Sequence, residues 1–123
     1  MSWRGSVLKT LRIGAGGMRH LLKSEVAAWF HLAVMVLTIL LGLVTGIGRD
    51  EWLWLIAAMG MVWAAEAFNT AIEKLADCIT LEQDERIGIA KDIAAAGVMV
   101  VIIAALLIGA LIFIPRLTGW PAP

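Results

Sequence analysis

Four polar side chains share one face of an otherwise apolar helical segment, the run MVWAAEAFNTAIEKLAD, and they are Glu66, Asn69, Glu73 and Asp77. At about 100° per residue they fall within an arc of about 80°. Ionisable residues in apolar segments are costly, and they usually face a bundle interior or a wet cavity and have a function. A buried carboxylate can act as a general base toward a hydroxyl group. Carboxylates near a membrane surface can also hold Mg²⁺ together with substrate phosphates.

Further charged positions flank the apolar segments: Glu25, and the neighbours Lys91 and Asp92. A lysine can neutralise the charge of a transferring phosphate. A base, two carboxylates for a metal and a lysine are together the parts of a phosphotransferase that acts on a lipid alcohol, and we predict that chemistry. The glycine-rich run 14–17 does not fit the P-loop pattern. The two histidines, His20 and His31, are too far apart and too unaccompanied to indicate a zinc site.

Each polar position also has a structural interpretation that the sequence leaves open. Glu25 could be a solvated helix end, and Lys91 with Asp92 could anchor a helix end by snorkelling. Glu66 and Glu73 could belong to a hydrogen-bond network that holds an oligomer. Two other classes of function remain as alternatives: a small ion or proton pathway, and a non-catalytic assembly subunit. A basic–acidic pair and a basic arm at one interface favour the enzyme.

The composition is that of an integral membrane protein. The chain has 123 residues, enough for one small domain, and it is 61% hydrophobic and only 16% charged. Soluble domains are nearer half apolar and one quarter charged. Cys78 is the single cysteine, so an intrachain disulfide is impossible. We expect no nucleic-acid partner and no secretory signal, because the first long apolar run begins only near Phe30.

The sequence predicts an all-α fold with a surface helix and three transmembrane helices in one domain, 1–123. A helix needs about 20 apolar residues to cross a bilayer. The predicted spans are 30–48, 52–77 and 93–114, with Pro115 ending the third because proline cannot continue a helix. Residues 80–90 form a polar loop or a wet helical turn.

The N-terminal arm, 1–28, predicts an amphipathic helix on an anionic membrane surface. Apolar residues recur at helical spacing between five basic residues, as in interfacial helices. Gly14, Gly16 and Gly17 predict a bend or break in it. The arm and the second loop carry eight basic residues, whereas the opposite side carries two, Arg49 and Arg116. This asymmetry predicts a cytoplasmic N-terminus and an external C-terminus.

The charged positions resemble those of a known family. The run from Glu66 to Asp77 fits E-x-x-N-[ST]-A-I-E-x-x-x-D, and Ala90-Lys91-Asp92 fits the downstream A-K-D. Both patterns are typical of the small prokaryotic diacylglycerol kinases, a family that includes undecaprenol kinases. The resemblance covers roughly residues 9–114. It implies a homotrimer with active sites shared between subunits, ATP as substrate and Mg²⁺ as cofactor. The leading interpretation is phosphorylation of diacylglycerol to phosphatidic acid, with undecaprenol as the alternative lipid.

The resemblance also implies roles for individual residues. Glu66 would be the catalytic base, and Glu25 and Glu73 would hold Mg²⁺. The residues implied to bind ATP are Glu25, Asn69, Glu73, Asp77, Glu82, Lys91 and Asp92. The residues assigned to the lipid are Glu66, Ala27, Ala28 and Trp29. The chain departs from the family on the nucleoside side, with Ser6 in place of an arginine and Ile13 in place of an aromatic residue.

Overall fold

The computed structural model describes residues 3–119, which form four helices and no strand. Three of the helices are long and apolar enough to cross a membrane, α2, α3 and α4. The predicted all-α fold, with an N-terminal helix ahead of three candidate spans, is confirmed. The helices are α1 Trp3–Ser24, α2 Val26–Thr45, α3 Arg49–Ile79 and α4 Glu85–Thr118.

Helices α3 and α4 form an antiparallel pair that is closed by an ion pair at each end. At one end Lys91 Nζ lies 2.7 Å from Asp77 Oδ1. At the other end Arg116 Nη2 lies 2.6 Å from Glu51 Oε2. The same Glu51 oxygen accepts the backbone N–H of Gly48 at 2.9 Å and so caps the start of α3. These two contacts show the register of α4 along α3.

Helix α2 turns back along α3 through a left-handed glycine. Gly46 has φ +65° and ends α2, a conformation that glycine adopts without steric cost. Close to this turn the Trp52 ring packs on Gly42, where an added Cβ would lie 2.7 Å from Trp52 Cη2. The apolar core lies at this end of the molecule, away from the polar face, and its buried members are Ile47, Leu55, Ile112 and Phe113.

A single extended residue separates α1 from α2. Glu25 has φ −125° and ψ 118°. The indole N–H of Trp29 reaches back across this junction and donates to the carbonyl of Leu22 at 2.8 Å. Leu21, in the last turns of α1, is buried. The junction therefore holds the surface helix at a defined position beside the start of α2.

Two expectations about helix continuity are wrong. Helix α1 runs unbroken through Gly14, Gly16 and Gly17. Glycine lowers helix propensity by about 1 kcal/mol but keeps its N–H, so the ladder of hydrogen bonds can continue. Helix α4 also passes through Pro115 and ends at Thr118. Because proline has no backbone N–H, Pro115 removes one helix hydrogen bond, which costs little so near the end of the helix. The N–H of Gly119 caps the last turn by donating to the Pro115 carbonyl at 3.1 Å.

The helix that contains the third predicted span begins before it, which agrees with the predicted alternative of a helical turn within residues 80–90. Helix α4 starts at Glu85, so the loop is confined to residues 80–84. Asp84 causes this early start, because its carboxylate accepts the backbone N–H groups of Arg86 at 2.9 Å and Ile87 at 3.4 Å. The first two turns of α4 are therefore polar and lie before the apolar segment.

Candidate active site

Glu66 is the buried carboxylate of the polar face. Its exposed fraction is 7%, and Oε2 lies 3.4 Å from Nε2 of His31 on the neighbouring α2. The Trp63 ring stands edge-on to the His31 ring, with 6.5 Å between the ring centroids. A carboxylate buried in an apolar helix pair needs a polar partner, and His31 is that partner. Glu66 is thus buried beside His31, at the contact between α2 and α3.

One turn further along α3, Asn69 presents a polar atom without a partner. Its Oδ1 is buried and accepts no hydrogen bond from any of residues 3–119. Buried polar atoms in folded proteins are nearly always paired, so an orphan needs an explanation. Because Asn69 lies next to Glu66 on the same face, the hydroxyl or another donor group of a bound ligand could supply the missing hydrogen bond to Oδ1.

Glu25 and Glu73 lie toward the same end of the antiparallel helices α2 and α3. The contact between His31 and Glu66 fixes the antiparallel register. From there Glu25 is six residues back along the chain, about 9 Å, and Glu73 is seven residues on, about 10 Å. Both side chains are half-buried. Both residues are therefore displaced from Glu66 by about two helical turns, in the direction in which α3 ends and α2 begins.

Lys91 belongs to the same end of the molecule. Its ion pair is with Asp77 across the α3–α4 pair, and the side chains of Lys91 and Asp77 are 36% and 51% exposed. Glu73 is near enough to add to the negative field at the lysine. Asp92 is exposed on the first turns of α4 and Glu82 is exposed in the loop. The predicted nucleotide residues thus gather at one end, although Asp92 and Glu82 take part in no ion pair within residues 3–119.

A groove of ≈ 600 Å³ runs beside this end, between the loop and α4, and its lining includes Asp77, Glu82 and Lys91. Asp84 also lines it and caps α4. The side chain of Arg86 and the backbone N–H groups of Ile87 and Arg86 hold the pKa of Asp84 below its usual range. The groove is open and its lining includes several charged side chains, which suits a water-soluble substrate that arrives from the aqueous side.

The residues predicted to contact lipid differ in their exposure. Ala27 and Trp29 are exposed, and Trp29 is also anchored to Leu22. Ala28 has an exposed fraction of 0%. Ala28 is thus buried within the chain, and its assignment to the lipid stays a prediction.

Sequence reasoning missed His31 and Trp63 as parts of the site. A usable signal existed in the hairpin formed by the first two spans. In an antiparallel hairpin, residues at equal distances from the turn lie opposite each other. With the turn near residue 48, His31 lies about as far before it as Glu66 lies after it. The contact of His31 with the buried carboxylate was not predicted.

Comparison with known proteins identifies the family of the chain. The sequence pattern of the family "Prokaryotic diacylglycerol kinase" matches residues 12–113. An undecaprenol kinase from Bacillus subtilis (strain 168) is 34% identical over 88 residues, which are 72% of each chain. The chain belongs to the prokaryotic diacylglycerol kinase family, and the predicted family resemblance is confirmed. It is accordingly an integral membrane lipid kinase.

Proposed function

We propose that this kinase transfers the γ-phosphate of ATP to the hydroxyl group of a long-chain membrane alcohol, with Glu66 as the base. The observation that carries the proposal is the buried position of Glu66, 7% exposed and opposed by His31, about two turns from the carboxylates of Glu25 and Glu73. This separation allows a lipid hydroxyl to approach from the apolar side while the nucleotide occupies the polar end.

The donor set at the polar end fits Mg²⁺ carried by a nucleotide. Within residues 3–119 no group of three or more His, Cys, Asp or Glu side chains could hold a metal ion. Magnesium is commonly bound by only one or two carboxylates together with substrate phosphates and waters. Glu25 and Glu73 supply two carboxylates toward the same end of the two helices, so we assign them to this ion. When bound, Mg²⁺ would offset the negative charge of the phosphates.

The chain's own residues then have distinct tasks. Glu66 accepts the proton of the lipid hydroxyl as the new bond forms between that oxygen and the γ-phosphorus. The bond from the γ-phosphorus to the leaving oxygen of ADP breaks in the same transfer. Lys91 contributes a positive charge to the phosphates, and Asp77 holds its side chain at the groove. Asn69 offers its orphaned amide to a substrate group, and Asp92 and Glu82 complete the nucleotide end.

Undecaprenol is the first candidate for the lipid. The relative from Bacillus subtilis bears that substrate in its name. Diacylglycerol is the second candidate, since the family description names it. Both lipids present one hydroxyl at the membrane interface on a long apolar body, so Glu66 can serve either. The proposal therefore changes the leading interpretation of the sequence from diacylglycerol to undecaprenol.

The experiment is phosphate transfer from labelled ATP in mixed micelles that contain purified protein and one lipid at a time. We expect lipid phosphate with undecaprenol, at a higher kcat/KM than with diacylglycerol. Micelles with Glu66→Gln protein serve as the control for contaminating kinases. Higher kcat/KM with diacylglycerol would reverse the lipid assignment. Lack of product with either lipid, from protein that is folded and assembled, would contradict the proposed function.

We also propose a homotrimer with shared active sites. One chain leaves much apolar and polar surface uncovered, including Glu73 and Asp77 at the nucleotide end. Mixed oligomers of Glu66→Gln and Glu73→Gln subunits should regain activity if one site uses residues of two chains. Inactive mixed oligomers, shown to contain both subunits, would place each site within one chain.

The proposed orientation has the N-terminus and the nucleotide end in the cytoplasm of a bacterial cell, with the inner membrane as the location. It rests on the excess of basic residues at that end. A single cysteine at Asp50, in a Cys78→Ser background, should react with a membrane-impermeant thiol reagent only from outside the cell. Labelling from the cytoplasm would reverse the orientation.

A further inference from the structure

His31 is the one ionisable residue of α2, and its side chain faces the one carboxylate that is buried in α3. The two side chains are only 13% and 9% exposed. An ionisable side chain in a membrane span is costly and needs a partner there. Each of the two side chains therefore serves as the polar partner of the other. Because the pair includes the proposed base, its location calls for a functional explanation.

The contact is specific in its geometry. Nε2 of His31 approaches only Oε2 of Glu66, and none of residues 3–119 donates a hydrogen bond to Oε1. Two aromatic rings stand edge-on to the imidazole: Trp63, at 6.5 Å between ring centroids, and the sequence neighbour Phe30, at 6.1 Å. One carboxylate oxygen is thus held in place while the other stays available to a substrate.

We infer that His31 is a positioning residue for the phosphotransfer, which holds Glu66 so that Oε1 faces the lipid hydroxyl. The inference rests on the proposed function, since it takes Glu66 to be the base. A base must lie within hydrogen-bond reach of the proton that it removes, and a displacement of about 1 Å can cost about 100-fold in rate. His31 contacts no reacting atom and acts only through Glu66.

The surrounding helices offer no substitute for His31. Helix α4 carries no ionisable side chain between Asp92 and Arg116. In the last turns of α1 the ionisable side chains are exposed, and they are Arg19, His20 and Lys23. On α3 the next ionisable residue after Glu66 is Glu73, which has the same charge and cannot pair with it. Removal of His31 therefore leaves Glu66 without a partner.

The test compares His31→Leu with His31→Gln, whose amide can still donate a hydrogen bond to Glu66. We expect His31→Leu to lower kcat about 10- to 100-fold. The KM for ATP should change little, because the nucleotide end lies about two turns away. His31→Gln should recover part of the lost kcat. His20→Leu, which changes the other histidine on exposed α1, is the matched control and should keep normal turnover.

A double variant separates positioning from a general structural role. In a Glu66→Gln background, His31→Leu should cause no further loss, because the residue through which it acts is already changed. A further loss of similar size in that background would overturn the inference, and so would normal kcat in His31→Leu. Rates are normalised to folded oligomer. If Glu66→Gln alone keeps normal turnover, the proposed base has failed, which is a different result and removes the basis of the inference as well.

Discussion

Lys91 Nζ and Asp77 Oδ1 lie 2.7 Å apart and join the end of α3 to the start of α4. The sequence left open a snorkelling role for Lys91 together with its neighbour Asp92. The ion-pair partner of Lys91 is instead Asp77, on α3. Both side chains are substantially exposed, and an exposed ion pair contributes little to stability. The contact is therefore better explained as holding a positive charge at the groove than as bracing the helices.

The first prediction concerns the charge at Lys91. Lys91→Arg should assemble normally but lose most phosphotransfer, because a planar guanidinium differs in reach and geometry from an ammonium group. Lys91→Ala should lose at least as much. Asp77→Asn should have a smaller effect, seen as a raised KM for ATP, since the lysine remains but is no longer tethered. The measurement is lipid phosphorylation per folded oligomer.

Lys74 provides the matched control for these variants, because it is an exposed lysine of α3 that the site does not use. Lys74→Arg and Lys74→Ala should keep normal activity. Normal turnover in Lys91→Arg would make Lys91 an anchor of the helix end and would move phosphate binding to the basic arm.

The second prediction concerns the two carboxylates assigned to Mg²⁺. Glu25→Gln and Glu73→Gln should raise the KM for Mg-ATP, and higher Mg²⁺ should restore part of the activity, because the remaining carboxylate still binds the ion. The measurement is a Mg²⁺ titration of initial rates for each variant. Asp50→Asn changes an exposed carboxylate at the opposite end of α3 and should behave as wild type. Variants with unchanged KM and unchanged Mg²⁺ dependence would remove these residues from the metal site.

The third prediction concerns the close contact between α2 and α3. Gly42→Ala should lower the thermal midpoint in detergent, because the new Cβ would lie 2.7 Å from Trp52 Cη2. Overpacking typically costs about 1–3 kcal/mol. Gly97→Ala is the control, since no atom lies within 4 Å of its added Cβ, and alanine favours a helix by about 1 kcal/mol. Equal midpoints for the two variants would show that the Trp52 ring moves away freely.

The fourth prediction is a pH dependence at the start of α4. The pKa of Asp84 is held below its usual range by Arg86 and by backbone N–H groups. Its stabilising effect is therefore complete at neutral pH, above the pKa of an unfolded aspartate near about 3.9, and is lost as pH falls through the lower folded value. Asp84→Asn keeps a capping oxygen but lacks the charge.

The measurement is the thermal midpoint of the wild type and of Asp84→Asn as a function of pH. The wild type should be the more stable protein at neutral pH, and the difference should shrink as the medium becomes acidic. A difference that does not change with pH would mean that the charge of Asp84 makes no contribution to the start of the helix.

Periodicity and composition predicted the helices well, because an apolar bilayer or core leaves few choices for a long apolar run. The polar face of α3 was predicted as well, since residue spacing alone defines it. Helix ends were less accurate. The single Asp84 cap moves the start of α4 to Glu85, and Pro115 is accommodated within the last turn. Both effects depend on local contacts that periodicity does not contain.

The partners of the polar residues were the part that sequence could not supply. His31 meets Glu66, and Lys91 meets Asp77, because of the register between antiparallel helices. The burial of Ala28 likewise depends on how α1 folds against the other helices. These are tertiary relationships between residues that are far apart along the chain.

The most direct test of the account is the rate of Glu66→Gln, measured with saturating ATP and lipid and normalised to folded oligomer. Loss of a positioned base should lower kcat by about 10²- to 10⁴-fold. Nucleotide affinity should stay nearly unchanged, because Glu25, Glu73 and Lys91 remain. Asp50→Asn, at the opposite end of α3, controls for the loss of one carboxylate and should keep full turnover. A Glu66→Gln protein with near-normal kcat would contradict the assignment of Glu66 as the base.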